Sequence, residues 1–314
     1  MWTIALKRFT LLCATCVFIS LLAFIVPYMN GGDPVRTILR SRIGDVALDT
    51  EAVEALRISL GLEQPLYIQY LSWLKAALSG DFGYSFVSRA PVGQEVLRSL
   101  GVSFTLAMAA LGLALLVALP MGTLVALKPG GRLDNIVTFF TQSLVAIPEY
   151  WFAPISVLIF SLYLGLLPSA GWQGPSYIVL PALVLSLRPM AYFTRVTRAA
   201  MIDVLQAPYI TAALSRGLSM RQTVVHHGLR NGSMPVVTLF ALWLAGLLGG
   251  SVVVEVIFSI PGMGRLIYEG VVNNDVPVLQ ASFMCIVVLS IVINTIADVL
   301  YILLNPVVRM GHVH

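Results

Sequence analysis

The sequence predicts an all-α integral membrane protein with six transmembrane helices and both termini in the cytoplasm. Three observations carry that prediction. Of the 314 residues, 58% are hydrophobic and 11% are charged, with a mean hydropathy of +0.89, whereas soluble domains average roughly 45–50% apolar and about 25% charged. Apolar runs long enough to cross about 30 Å of hydrocarbon recur along the chain. The cations outside those runs gather in alternate connections, as a membrane orientation requires.

Taken in order, Phe9 to Tyr28 reads as the first span, and Lys7 and Arg8 before it place the N-terminus inside. Residues 1–29 thus form a tail and first helix. Residues 30–98 hold eight acids and seven Lys/Arg, too mixed to cross a membrane, and form a large extracytoplasmic segment. Within it Pro65 can open an amphipathic helix from Leu66 to Leu78, and Gly80-Asp81 can close it. Residues 99–304 form a five-helix core. Its first span is Val102 to Leu127, followed by an inside loop with Lys128, Arg132 and Asp134. Ile136 to Leu167 is expected as one tilted or kinked span, with Pro148 and Pro154 as the kink positions. The turn Pro168 to Ser176 has no Lys or Arg and faces outside. Tyr177 to about Arg198, Met234 to about Phe258 and Leu279 to Leu304 complete the count, and residues 305–314 form a cytoplasmic tail. With this assignment ten cations lie inside, and Arg265 is the one outside cation beyond the long segment.

The net charge of +4 raises nucleic acid as a partner, but the arginines are scattered between apolar runs without a basic aromatic face, which excludes it. Cys13, Cys16 and Cys285 all fall in apolar runs and read as small packing residues. The neighbouring His226 and His227 point apart on a helix, so no metal site is assigned. The chain lacks the Gly-x-x-x-x-Gly-Lys-Ser/Thr loop, His-Glu-x-x-His and Gly-x-Ser-x-Gly, so no catalytic residue and no nucleotide site are expected in it.

The polar stretch at residues 199–233 separates the fourth and fifth spans and carries Arg216, Arg221 and Arg230. A cation at the bilayer centre costs roughly 2.5–3.5 kcal/mol, so this stretch lies outside the hydrocarbon. Its pattern is helix, glycine turn, helix. Asp203 to Ser215 forms the first helix, Gly217 suits a left-handed cap, Ser219 can cap the second, and Met220 to Leu229 continues it. The small pair Ala212 and Ala213 would let a partner groove approach the backbone, and the arginines could pair with carboxylates there. The residues alone fit an ordinary basic loop equally well.

Thr211-Ala212-Ala213, with Gly217 four residues after Ala213, resembles the EAA loop of ABC-importer permeases. His227-Gly228-Leu229-Arg230-Asn231-Gly232-Ser233-Met234-Pro235 resembles the form found in the dipeptide, oligopeptide and nickel permease family. Gly61 to Tyr70, Gly80 to Ser85, Val253 to Gly264 and Asp298 to Tyr301 are similar to the same family, and in the third of these Pro261, Gly262 and Gly264 permit a tight turn. Two departures stand out: Thr211 replaces the Glu that gives the motif its name, and Asn305-Pro306-Val307 stands where the family tends to have Asp-Pro-Arg.

The resemblance implies the type I ABC-importer permease fold in a bacterial inner membrane. It implies a homologous second permease, two ATP-binding subunits that carry ATP and Mg2+, and an extracytoplasmic solute-binding protein. Tyr209, Thr211, Ala212, Ala213, Arg216, Gly217, His227 and Arg230 would then couple to the ATPases, and the cargo would be a small peptide or a nickel complex. Four polar residues at or within spans, Glu149, Arg188, Glu255 and Asp298, are translocation-pathway candidates, because such groups face a bundle interior or a water-filled path. Glu255 and Asp298 fit structural hydrogen bonding as well as substrate contact. Glu149 is the residue assigned to favour a cationic group. The alternative is an ion-gradient-driven secondary transporter or channel using Glu149, Glu255 and Asp298 as a proton relay. Inverted repeats and broken helices would support it, and the sequence displays neither clearly.

Overall fold

The computed structural model describes residues 10, 14–25, 58 and 63–304. Lys7, Arg8, Cys13, most of the 30–62 stretch and the 305–314 tail lie outside the described residues. In chain order the helices are α1 Ala14–Ile25, α2 Leu66–Leu78, α3 Val92–Ala126, α4 Arg132–Ala146, α5 Glu149–Tyr163 and α6 Ser176–Leu205. They continue as α7 Pro208–Ser215, α8 Met220–Gly232, α9 Met234–Gly250, α10 Val252–Ile257, α11 Met263–Val272 and α12 Val276–Leu304. Among the described residues, α3, α6 and α12 are each long and apolar enough to cross a membrane. Two bent pairs, α4 with α5 and α8 with α9, are apolar enough when each pair is taken as one span.

The α4–α5 pair departs from the single tilted or kinked span expected for Ile136 to Leu167, because its axis turns by 97°. The break lies at Pro148 rather than Pro154. A proline disfavours helical backbone at the residue before it, and Ile147 is extended at ψ 121° with Pro148 following at ψ 135°. Pro154 stays inside α5, whose last seven residues, Val157–Tyr163, widen to i→i+5 bonding. The stretch expected as one span from Met234 to Phe258 is also divided. Gly249-Gly250, weak helix formers, end α9, and Ser251 starts the short α10.

The chain forms two compact units, one from Met1–Val102 with Pro261–Ile291 and the other from Ser103–Ile260 with Val292–His314. In the first, Val92, Val96, Met263, Val278 and Ala281 make the core, with Phe82 and Leu266 packed against it. The Gly80-to-Ser85 motif is pinned there by a carboxylate: Ser85 Oγ donates to Asp275 Oδ2 at 2.5 Å, and the Val87 amide reaches the same oxygen at 3.3 Å. Gly80 and Gly83 take φ of 82° and 74°, conformations that glycine adopts without steric cost. On α2, Tyr70 packs edge-on against Phe24 with ring centroids 5.5 Å apart, and its hydroxyl lies 2.7 Å from Ser20 Oγ.

In the second unit α6 is the central element. Glycines bring its neighbours close: a side chain at Gly122 of α3 would meet Thr197 and the Thr194 carbonyl, and one at Gly232 of α8 would collide with Met201. Where α9 passes α6, Trp243 packs on Tyr192 with centroids 5.6 Å apart. The turn after α10 also differs from expectation. The left-handed residue is Ser259, at φ 52°, while Gly262 is extended at the start of α11.

Candidate functional site: an exposed short helix and the charges along α6

The first candidate site is α7. The helix of this region begins later than the expected Asp203, since α6 runs to Leu205 and the residue before Pro208, Ala207, is extended at ψ 144°. Pro208 then occupies the first turn of α7, where its missing N–H costs nothing. Ile210 and Ala213 are the buried residues of α7, at 1% and 0% exposure. Their i, i+3 spacing puts them on one face. Tyr209, Thr211, Ala212 and Ser215 are exposed or half-exposed, as are Arg216 and Gly217 beyond them. Of the alanine pair, only Ala212 therefore faces out.

Both ends of this unit are locally satisfied. Gly217 takes φ 88°, and Arg216 Nε donates to the Ala212 carbonyl at 3.2 Å. Ser219 forms a capping box with Gln222, whose Oε1 accepts from the Ser219 amide at 3.0 Å. Asn231 Nδ2 donates to the Tyr209 hydroxyl at 3.0 Å, tying α8 back to α7. His227 is half-buried in the i→i+5 stretch Val224–Gly228, and Arg230 is exposed. Ala126, Met201 and Val224 form the cluster beneath the loop, with Ile202, Leu205 and Leu229 against it. The exposed face of α7 thus rides on a packed base.

The pathway candidates fall in different surroundings. Glu255 is fully buried, and its Oε1 accepts from Ser103 Oγ at 2.6 Å and Ser251 Oγ at 2.7 Å, so it joins α10 to α3. Asp298 is half-buried on α12. Glu149 and Arg188 come together: Glu149 starts α5 just after the 97° break, and its Oε1 lies 3.8 Å from Arg188 Nε on α6. Side-chain exposures of 42% for Arg188 and 24% for Glu149 leave that pair open on one side.

Ten residues further along α6, Arg198 meets Asp134 of α4 in a two-pronged bond, Nε to Oδ1 at 2.5 Å and Nη2 to Oδ2 at 2.6 Å. The Gly130 amide also donates to Asp134, at 2.8 Å. Hydropathy and charge place both residues beside the membrane without pairing them, and covariation between positions 134 and 198 is the signal that would reveal the pair. The role of the Asp275 carboxylate is equally invisible in the sequence, because a lone Asp in a turn has no distinguishing pattern. Tyr192, which shares the exposed side of α6 with Arg188 and carries the Arg195 guanidinium 4.6 Å above its ring, is hidden among apolar neighbours.

Residues 118–310 match the family described as the binding-protein-dependent transport system inner membrane component. The glutathione transport system permease protein GsiC of Escherichia coli strain K12 is 36% identical over 304 residues, covering 97% of this chain and 98% of that protein. The oligopeptide transport system permease protein AppB of Bacillus subtilis strain 168 is 35% identical over 299 residues, covering 92% and 93%. The α7 loop, all four pathway candidates and most of the apolar helices lie inside the matched region. The chain therefore belongs to the binding-protein-dependent transport system inner membrane component family, the non-catalytic permease subunits of ABC importers, in which partner ATPases hydrolyse ATP.

Proposed function

We propose that this protein is one of two homologous permease subunits of an ATP-driven importer that moves small peptides across a bacterial inner membrane. Six spans, with both termini inside, follow if the apolar run around α1 crosses together with α3, the α4–α5 pair, α6, the α8–α9 pair and α12. Two ATP-binding subunits holding ATP and Mg2+ dock on the polar loop, and an extracytoplasmic binding protein delivers cargo. The peptide class is supported by the relatives, which are named for glutathione and oligopeptide transport; neither of these is named for nickel.

The observation that carries this reading is the split of α7 into a buried side, Ile210 and Ala213, and an exposed side with Tyr209, Thr211, Ala212 and Arg216. A short helix anchored in this way moves as a rigid body when its exposed face is pushed. Through Asn231 and the base under α8, that push reaches α6 and α9. Closure of the ATPases would thereby switch the cavity between outward and inward access. Glu149, Arg188 and Asp298 are assigned to the pathway, while two hydroxyl donors suit Glu255 to packing.

Uptake by the reconstituted complex, with wild-type and hydrolysis-dead ATPase partners, tests the proposal. Peptide accumulation should stop with the dead partners. Accumulation that persists, driven by a proton gradient, would overturn it in favour of a secondary carrier.

A further inference from the structure

We propose that Glu149 and Arg188 form a split-charge station for a zwitterionic substrate, with Glu149 receiving an ammonium group and Arg188 a carboxylate. This rests on the permease reading above and names the chemistry its pathway selects. Arg188 lies twelve residues into α6, about 18 Å from its start at 1.5 Å per residue, well inside a helix long enough to cross the membrane. A charge at that depth is costly unless it is paired or faces water, and here the pairing is incomplete. The Arg188–Glu149 contact is 3.8 Å, longer than the 2.7–2.9 Å of a charge-assisted hydrogen bond, and Arg188 Nε is a buried nitrogen with no hydrogen-bond partner among the described residues.

The surface around the pair has the same character. Tyr192 and Arg195 follow Arg188 at i+4 and i+7, on one side of α6, and all three keep exposed or half-exposed side chains. A side carrying two guanidiniums and a phenol is unsuited to lipid and suited to a wet path. Glu149 reaches that side because the chain breaks at Pro148, which sets the first residue of α5 against α6. The two charges are opposite, close and loosely held, so an incoming ammonium and carboxylate can replace each partner with one of its own kind. An extended tripeptide is about 10 Å long at 3.3–3.6 Å per residue, so its two ends are held only when the Glu149 and Arg188 side chains both swing apart.

Direct binding to the purified transporter complex, in lipid nanodiscs and without the binding protein, separates the two charges. Radiolabelled trialanine is the probe, competed by unlabelled trialanine and by its N-acetylated and C-amidated forms. The parental complex should favour free trialanine over either blocked form by about tenfold, the size expected for losing a hydrogen bond to a charged group. Glu149→Gln should weaken free trialanine and abolish the preference over the N-acetyl form while keeping the preference over the amide. Arg188→Gln should do the reverse. No parental binding, equal affinity for all three peptides, or an equal loss against all three in both variants would overturn the station. ATP-dependent uptake by the parental complex, measured alongside, reports on the permease reading separately.

Discussion

Two arginines of one helix meet two carboxylates of one bent segment, and the pairs are built differently. Arg198 grips Asp134 through both prongs at 2.5 and 2.6 Å, with the acid only 3% exposed and also bonded by the Gly130 amide. Arg188 stands 3.8 Å from Glu149, with a buried Nε that has no hydrogen-bond partner among the described residues. The arginines are similarly exposed, 42% for Arg188 and 32% for Arg198, but Glu149 is 24% exposed against 3% for Asp134. The first geometry closes a joint between α4 and α6. The second leaves both charges available to something else. Distance and enclosure, rather than residue type, separate a structural pair from a pair poised for exchange.

That contrast can be broken by substitution. Arg198→Ala leaves the enclosed Asp134 without its cation and should cost about 1.5–3 kcal/mol, because Arg198 itself is partly exposed, read as a lower melting temperature and less assembled complex in membrane extracts. Glu255→Leu removes the acceptor of Ser103 and Ser251 and should cost roughly 1–3 kcal/mol, with Glu255→Gln milder because its carbonyl still accepts. Arg188→Gln should change stability by less than about 1 kcal/mol, since a loose, half-open pair contributes little. A collapse as large as that of Arg198→Ala would erase the distinction. Glu269→Ala should be smallest, within about 0.5 kcal/mol, because it removes an i, i+4 ion pair with Arg265 in which the acid is exposed. Thermal melts of the detergent-purified complex measure all five variants on one scale.

The membrane class and helical character were legible in the sequence because long apolar runs, with cations confined to the connections between them, fit a bilayer far better than a soluble core. Local signals read well too. Pro65 precedes α2, Gly217 is left-handed at φ 88°, and Ser219 caps α8 through Gln222. Each depends on neighbours within four residues. What escaped depends on contacts distant in sequence or on choices between similar residues. Pro148 and Pro154 were equal candidates for a kink, and only the packed chain turns at the first, by 97°. The Pro261-Gly262 turn was legible as a turn, but the left-handed residue is Ser259. The pairing of Asp134 with Arg198 spans 64 positions, and hydropathy along the chain carries no information about it. In α7, composition marked Ala212 and Ala213 as equivalent, yet the register of an eight-residue helix buries one and presents the other.

The most direct measurement is site-specific disulfide crosslinking from Ala212→Cys, with the native cysteines replaced, to cysteines around the docking groove of the ATPase subunit in native membranes. Ala212→Cys should crosslink rapidly to that subunit, with a yield that changes when ATP and Mg2+ are added, while Ala213→Cys, on the buried side, should react far more slowly. Equal labelling of both positions by a water-soluble maleimide, with no crosslink to the ATPase in any nucleotide state, would contradict the coupling role of α7.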